Sequence, residues 1–256
     1  MIGQRGIYIK SEQEIAIMRQ AGRINALALA TVRKAIQPGI TTAELDAIAA
    51  EVLRKQNAKP AFLGVPGAYP YPATTTISIN DVMVHGIPDK RKLQEGDIVS
   101  VDCGTIFEGF VADSAFTAGV GVASAQAQRL MEVTEKALYI GIEQLRPGNH
   151  VGDVGAAIQQ FVEPQGPYLT RDYTGHGVGR AMWEGPQVPN YGYAGRGQVF
   201  RPGMVIAIEP MVLIGTHRTK VLPDQWAVAS LDGSLTAHFE HSVAITENGP
   251  YILTVE

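Results

Sequence analysis

Four acidic residues and one histidine stand in settings that call for a partner. Asp102 closes the apolar run Gly96-Asp97-Ile98-Val99-Ser100-Val101-Asp102, and Asp113 follows after Glu108-Gly109, a pair suited to a two-residue hairpin turn. Such a turn pairs position 104 with position 113. Strand side chains alternate between faces, so Asp102 and Asp113 are expected on one face as diagonal neighbours, close enough to share an ion. Glu209 ends a second run, Gly203-Met204-Val205-Ile206-Ala207-Ile208-Glu209. Glu240 lies within Leu235 to Ile245, a largely apolar stretch that alternates like a strand. A carboxylate in such surroundings must be paired or coordinating. His176, in Thr174-Gly175-His176-Gly177-Val178-Gly179-Arg180, has glycine neighbours that allow close backbone approach. Two Asp, two Glu and one His suit divalent Mn, Fe, Co or Zn rather than an all-thiolate structural site. Four carboxylates also balance the charge of two divalent ions. A two-metal centre of this kind ionises a bridging water at neutral pH and stabilises a tetrahedral intermediate, which is the chemistry of amide hydrolysis.

The elements that must position these groups are written twice. Ser11 and Glu14 form a capping box, and apolar residues at Ile15, Met18, Ile24 and Leu27 predict a helix to about Ile36. Pro38-Gly39 ends it. Thr41 and Glu44 open a second helix with Leu45, Ile48, Ala49 and Val52 on its apolar face. An offset of 109 residues places Pro147-Gly148, Leu145, Val154, Ile158 and Phe161 in the same arrangement. An offset of 107 superposes the run ending in Asp102 on the run ending in Glu209. The two offsets differ by a length that a loop deletion absorbs. The expectation is an internally duplicated α/β protein with a pseudo-twofold axis, toward which each half sends one acidic strand end. Buried carboxylates meeting there need positive charge, and a metal supplies it economically. Cys103 should point to the opposite face as a small buried apolar residue.

Composition excludes several classes. The chain has 256 residues, 45% hydrophobic and 18% charged, enough apolar content for a large core and too much for disorder. A net charge of −4, without a basic block, argues against nucleic acid as a partner. No apolar run approaches a membrane span, and the N-terminus lacks an apolar signal core, so a cytoplasmic protein is expected. The single cysteine permits no internal disulfide.

Taken together, the motifs resemble the type I methionine aminopeptidases, which have the duplicated pita-bread α/β fold. The resemblance runs from about Ile9 to the C-terminus. It is carried by SIND at Ser78 to Asp81, HGIP at His85 to Pro88, GDIVSVDCG around Asp102, and Asp113. It continues with GHGVGR at Gly175 to Arg180, PQVPNYG at Pro186 to Gly192, PGMVIAIEPM around Glu209 and FEHSVAITENG around Glu240. It implies one catalytic domain over residues 11–256 after an N-terminal extension at 1–10. It also implies that Asp102, Asp113, His176, Glu209 and Glu240 bind two divalent ions (Co, Mn, Fe or Zn). Glu209 would help move the proton of the bridging water, and His85 would hydrogen-bond substrate near the scissile amide. Tyr71, Thr76, Met182 and Trp226 would line an apolar, methionine-sized pocket, with Phe62 and Val65 nearby. Substrates would be nascent polypeptides with a free N-terminal methionine and a small second residue. The resemblance further implies a cytoplasmic monomer with no nucleic-acid or membrane partner, and it allows ribosome association.

Two departures from the family pattern stand out. Trp183 occupies the place of a second histidine that by the family pattern follows His176 by seven residues. Either its N–H partly replaces that histidine's bond or its larger ring narrows the site beyond the scissile amide, and a slow or selective enzyme is expected. The loop Pro66-Gly67-Ala68-Tyr69-Pro70 is longer than usual. Two other functions share these features: a proline-directed aminopeptidase of the same fold, and a non-catalytic binding protein that has lost its metals. The short spacing from His176 to Glu209 leaves no room for the helical insertion of the type II enzymes.

Overall fold

The computed structural model describes residues 6–256. Of the extension expected at residues 1–10, residues 1–5 lie outside the described residues. Gly6 to Lys10 run along the body of the molecule. The Gly6 carbonyl accepts from Gly185 N (3.1 Å), and Lys10 N donates to the Gly203 carbonyl (2.7 Å). A buried ion pair joins Lys10 Nζ to Glu184 Oε2 at 2.5 Å.

Among the described residues the α-helices are α1 (Glu12–Ala35), α2 (Thr42–Lys55), α3 (Ala125–Glu143) and α4 (Val151–Val162). Ser11 and Thr41 each form the capping box expected of them, with Glu14 and Glu44 returning the bond to the cap backbone. The strands are β1 (Lys59–Pro60), β2 (Thr75–Ile79), β3 (Val82–Val84), β4 (Ile98–Phe107), β5 (Phe110–Gly119), β6 (Tyr168–Leu169), β7 (Gly175–Gly177) and β8 (Glu184–Val188). They continue with β9 (Val205–Ile208), β10 (Met211–Leu213), β11 (Thr219–Val221), β12 (Val228–Ser230), β13 (Thr236–His238), β14 (Glu240–Thr246) and β15 (Gly249–Ile252).

The large sheet runs β1-β4-β5-β14-β9-β7-β8, with β2 also pairing β4 and β15 pairing β14. The duplication is visible in that order. The triplet β2-β4-β5 meets the triplet β14-β9-β7 where β5 pairs β14, through Glu240 opposite Ala115 and His241 opposite Ser114. One face of the sheet lies under the helices. Val99, Val101 and Cys103 point into a core shared with Ile24, Ala28, Leu130, Ile158 and Ile206, so Cys103 is the buried apolar residue expected. Asn25 of α1 reaches the hairpin from that side and bonds the Cys103 carbonyl and the Ser114 hydroxyl.

Two local readings differ from the sequence expectation. The stretch from Leu235 to Ile245 is not one strand but two, broken at Phe239. His238 pairs with Met211 in a small sheet, whereas Glu240 begins the strand that closes the large one. A chain that changes sheets must bend, and alternation of side chains cannot report the bend. The Gly-His-Gly segment, which taken alone reads as a loop, is the short strand β7, held between β8 and β9.

Candidate metal centre

The turn at Glu108-Gly109 has both residues at positive φ (47° and 79°), the geometry of a tight hairpin, and it fixes the register of β4 on β5. Gly104 therefore faces Asp113, and Asp102 faces Ala115. Ala115 in turn faces Glu240 across the pseudo-twofold. Asp102, Ala115 and Glu240 thus form one row on one face of the sheet, with Asp113 diagonal to Asp102. The small Ala115 side chain leaves open space between two acids that are two strands apart, roughly 10 Å between backbones. From the other half, His176 lies opposite Ala207 on β9, and Glu209 follows immediately after that strand.

All five side chains border one cavity. Asp113, His176 and Glu240 each bring one ligating atom within 4.8 Å of the others. His176 Nε2 also lies 3.5 Å from Glu209 Oε1 and 3.9 Å from Asp113 Oδ2. Asp102 Oδ1, Asp113 Oδ1 and Glu240 Oε1 are buried with no hydrogen-bond donor among the described residues. Buried polar atoms are nearly always satisfied, so a group of orphaned carboxylate oxygens has the chemistry of a cation site.

Electrostatics agrees. Burial, reinforced by Asp113 and Glu209, raises the Asp102 carboxyl well above the usual range. Burial and then Asp113 raise Glu209, and burial with the other three acids raises Glu240. Asp113, also lifted mainly by burial, reaches about 7. Four acids so placed cannot all ionise without an added positive charge. Hard oxygen donors with one imidazole fit divalent ions of the Mn, Fe, Co or Zn type.

His85 sits at the same cavity with its backbone in the left-handed region (φ 60°), an uncommon setting for a non-glycine residue. The surroundings impose it. Gly86 N donates to Ser78 Oγ (3.1 Å), while the Gly86 carbonyl accepts from Ile77 N (2.8 Å) and the Tyr71 hydroxyl (2.9 Å). Burial pushes the His85 pKa down to about 4, so the ring is neutral at physiological pH.

The apolar wall contains Phe62, Val65, Tyr71, Thr76, Trp183 and Trp226. Met182 is outside the lining. It packs with Phe62 and Tyr71, and its methyl group fills the space beside Gly104, where an added Cβ would meet Met182 Cε at 2.5 Å. The long loop has a clear place. Tyr71 N donates to the Val65 carbonyl (2.9 Å), Trp226 Nε1 donates to the Tyr69 carbonyl (3.2 Å), and the Tyr71 and Trp226 rings meet edge to face at 5.1 Å. Gly67 is needed there because any Cβ would strike the Trp226 ring. Trp183 stands beside the ligand histidine candidate, its ring centroid 6.5 Å from that of His176. One further residue, His238, reaches the acids from behind, with Nε2 3.9 Å from both Glu209 Oε2 and Glu240 Oε2. Within the run Leu235 to Ile245, alternation places it on the face of Glu240 and says nothing of its proximity to Glu209.

Residues 16–247 match the profile of metallopeptidase family M24. A methionine aminopeptidase of Clostridium perfringens is 47% identical over 249 residues, covering 97% of this chain and 99% of the relative. Methionine aminopeptidase 1 of Bacillus subtilis is 46% identical over 248 residues, covering 97% and 99%. Among solved structures, methionine aminopeptidase from Thermotoga maritima superposes with a TM-score of 0.95 at 46% identity, covering 98% of this chain and all of that one. Prolidase from Pyrococcus furiosus, at 24% identity and a TM-score of 0.79, covers 97% of this chain and 65% of its own; that likeness is one of fold.

Proposed function

We propose, from the premise that the chain belongs to metallopeptidase family M24, that it removes N-terminal methionine and that Asp102, Asp113, His176, Glu209 and Glu240 hold two divalent ions for that reaction. The fold is the pita-bread fold of the methionine aminopeptidases, and the activity is metal-dependent. The observation that carries the ligand assignment is the convergence of three orphaned carboxylate oxygens, from Asp102, Asp113 and Glu240, on one cavity that His176 also borders.

Divalent ions bound there supply Lewis acidity and an acidified water near neutral pH. The chain's own residues do the rest. Glu209 is the least enclosed of the four acids, with a side chain 14% exposed, and its environment favours the protonated carboxyl. It is the group suited to take the proton of the attacking water and pass it to the leaving amine. His85, neutral and fixed by its backbone, offers a ring N–H as donor toward the scissile amide. Phe62, Val65, Tyr71, Thr76 and Trp226 accept the methionine side chain, for which apolar contact is the main means of recognition. Trp183 narrows the wall next to His176 and so favours a small second residue.

Substrates of this kind are newly made polypeptides with a free N-terminus, met in the cytoplasm. No helix among the described residues is long and apolar enough to cross a membrane. Elemental analysis of purified protein tests the ligand set. The unaltered chain should carry up to two Mn per chain after loading, whereas folded Asp102→Asn and Glu240→Gln should each lose at least one ion and methionine release. Full metal content in both variants would contradict the assignment.

A further inference from the structure

We propose that His238 is a positioning residue of the metal centre, its Nε2–H shared between the Glu209 and Glu240 carboxylates so that both stay turned toward the ions. The proposal rests on the ligand set above. His238 is 2% exposed, and its Nε2 has no hydrogen-bond partner among the described residues. That nitrogen is equidistant from two acids contributed by different strands, 3.9 Å from Glu209 Oε2 and 3.9 Å from Glu240 Oε2. Glu209 therefore lies between two imidazoles, with Oε1 toward His176 and Oε2 toward His238.

The backbone leaves His238 little choice of direction. Thr117 clamps it from both sides: His238 N donates to Thr117 Oγ1 (2.9 Å), and the Thr117 hydroxyl donates to the His238 carbonyl (2.8 Å). The internal repeat gives a second argument. Val101 and Ile208 are equivalent in the two halves, and they pair with Phe116 and His241. Counting three residues back from each partner gives Asp113 in the first half and His238 in the second. His238 thus occupies the position that in the first half delivers an acid to the centre. A separation of 3.9 Å exceeds a hydrogen bond by about 1 Å, a gap that small rotations of the flexible Glu side chains close. Groups that orient ligands in this way change metal affinity by about 10- to 100-fold when removed.

The test uses the full chain, stripped of metal, with free Mn(II) followed by electron paramagnetic resonance during titration. His238→Leu and His238→Ala, which lack a donor, should raise the Kd for Mn by about 10- to 100-fold, while His238→Gln, which keeps an N–H, should stay within about threefold. Unchanged affinity in the Leu and Ala variants, or an equal loss in the Gln variant, would overturn the proposal. An unaltered chain that binds no Mn would overturn the ligand set along with it, so the two failures are distinguishable. A measurement on the unaltered Zn-loaded protein needs no variant. Long-range proton–nitrogen spectra should show a proton on His238 Nε2, and an unprotonated Nε2 would overturn the proposal.

Discussion

Trp183 stands where the family resemblance implies a second histidine. Its ring lies at 64° to that of His176 with centroids 6.5 Å apart, so it forms part of the cavity wall beside that candidate ligand. A histidine there would place a compact donor near the developing negative charge, and one such donor is worth about 10²- to 10³-fold in rate. Trp183→His is accordingly expected to raise kcat on a Met-Ala-Ser peptide by at least about tenfold, and to admit larger second residues. Unchanged kcat and unchanged preference would show that the indole is only packing. At this scale the sequence was informative where charge met an apolar alternating run, as at Asp102, Asp113 and Glu240. It was silent about the approach of His238 to Glu209, which joins the end of β13 to the end of β9 and is purely tertiary.

The elements divide into those that support the fold and those that aim ligands. Thr41 caps α2 far from the centre, so Thr41→Ala should cost about 1 kcal/mol in chemical denaturation and leave methionine release unchanged. Gly177, next to His176 on β7, has no such freedom, because a Cβ there would strike the Gly185 carbonyl. Gly177→Ala should cost about 1–3 kcal/mol and also weaken Mn binding, since β7 cannot shift without moving the imidazole. Equal metal affinity in this variant would detach the strand from the site. Both helix starts were legible because a capping box is local, four residues long and stereochemically complete. The register of β4 on β5 was legible for the same reason, through its two-residue turn. The break at Phe239 was not, because it is set by β10 and β5 drawing neighbouring residues into different sheets.

For the whole molecule, the duplication brings two acids from each half to one axis. Asp102 and Asp113 come from within β4 and β5 rather than from a strand end, Glu209 and Glu240 from the end of β9 and the start of β14. Their burial together has a cost that bound cations would remove. In the metal-stripped protein Asp113 rises from 3.8 to about 7, and Asp102, Glu209 and Glu240 also rise. Between about pH 4 and 7 the folded state then binds more protons than the unfolded one, so the contribution of this cluster to stability is complete below pH 4 and is lost as pH rises. Ions compete with those protons. Added Mn should therefore raise Tm more at pH 8 than at pH 5, as read by scanning calorimetry on stripped and loaded protein. Equal stabilisation at both values would contradict the buried acid cluster as the metal site. The pseudo-twofold itself was legible from the two near-equal offsets, whereas the cavity that it encloses depended on Ala115 being small at the junction.

The most direct test is release of free methionine from Met-Ala-Ser by metal-stripped protein titrated with Mn or Co, run beside an Xaa-Pro peptide. The account predicts no release without metal, release that saturates as ions are added, and an intact Xaa-Pro bond. Release that ignores metal, or cleavage of the Xaa-Pro peptide alone, would contradict it.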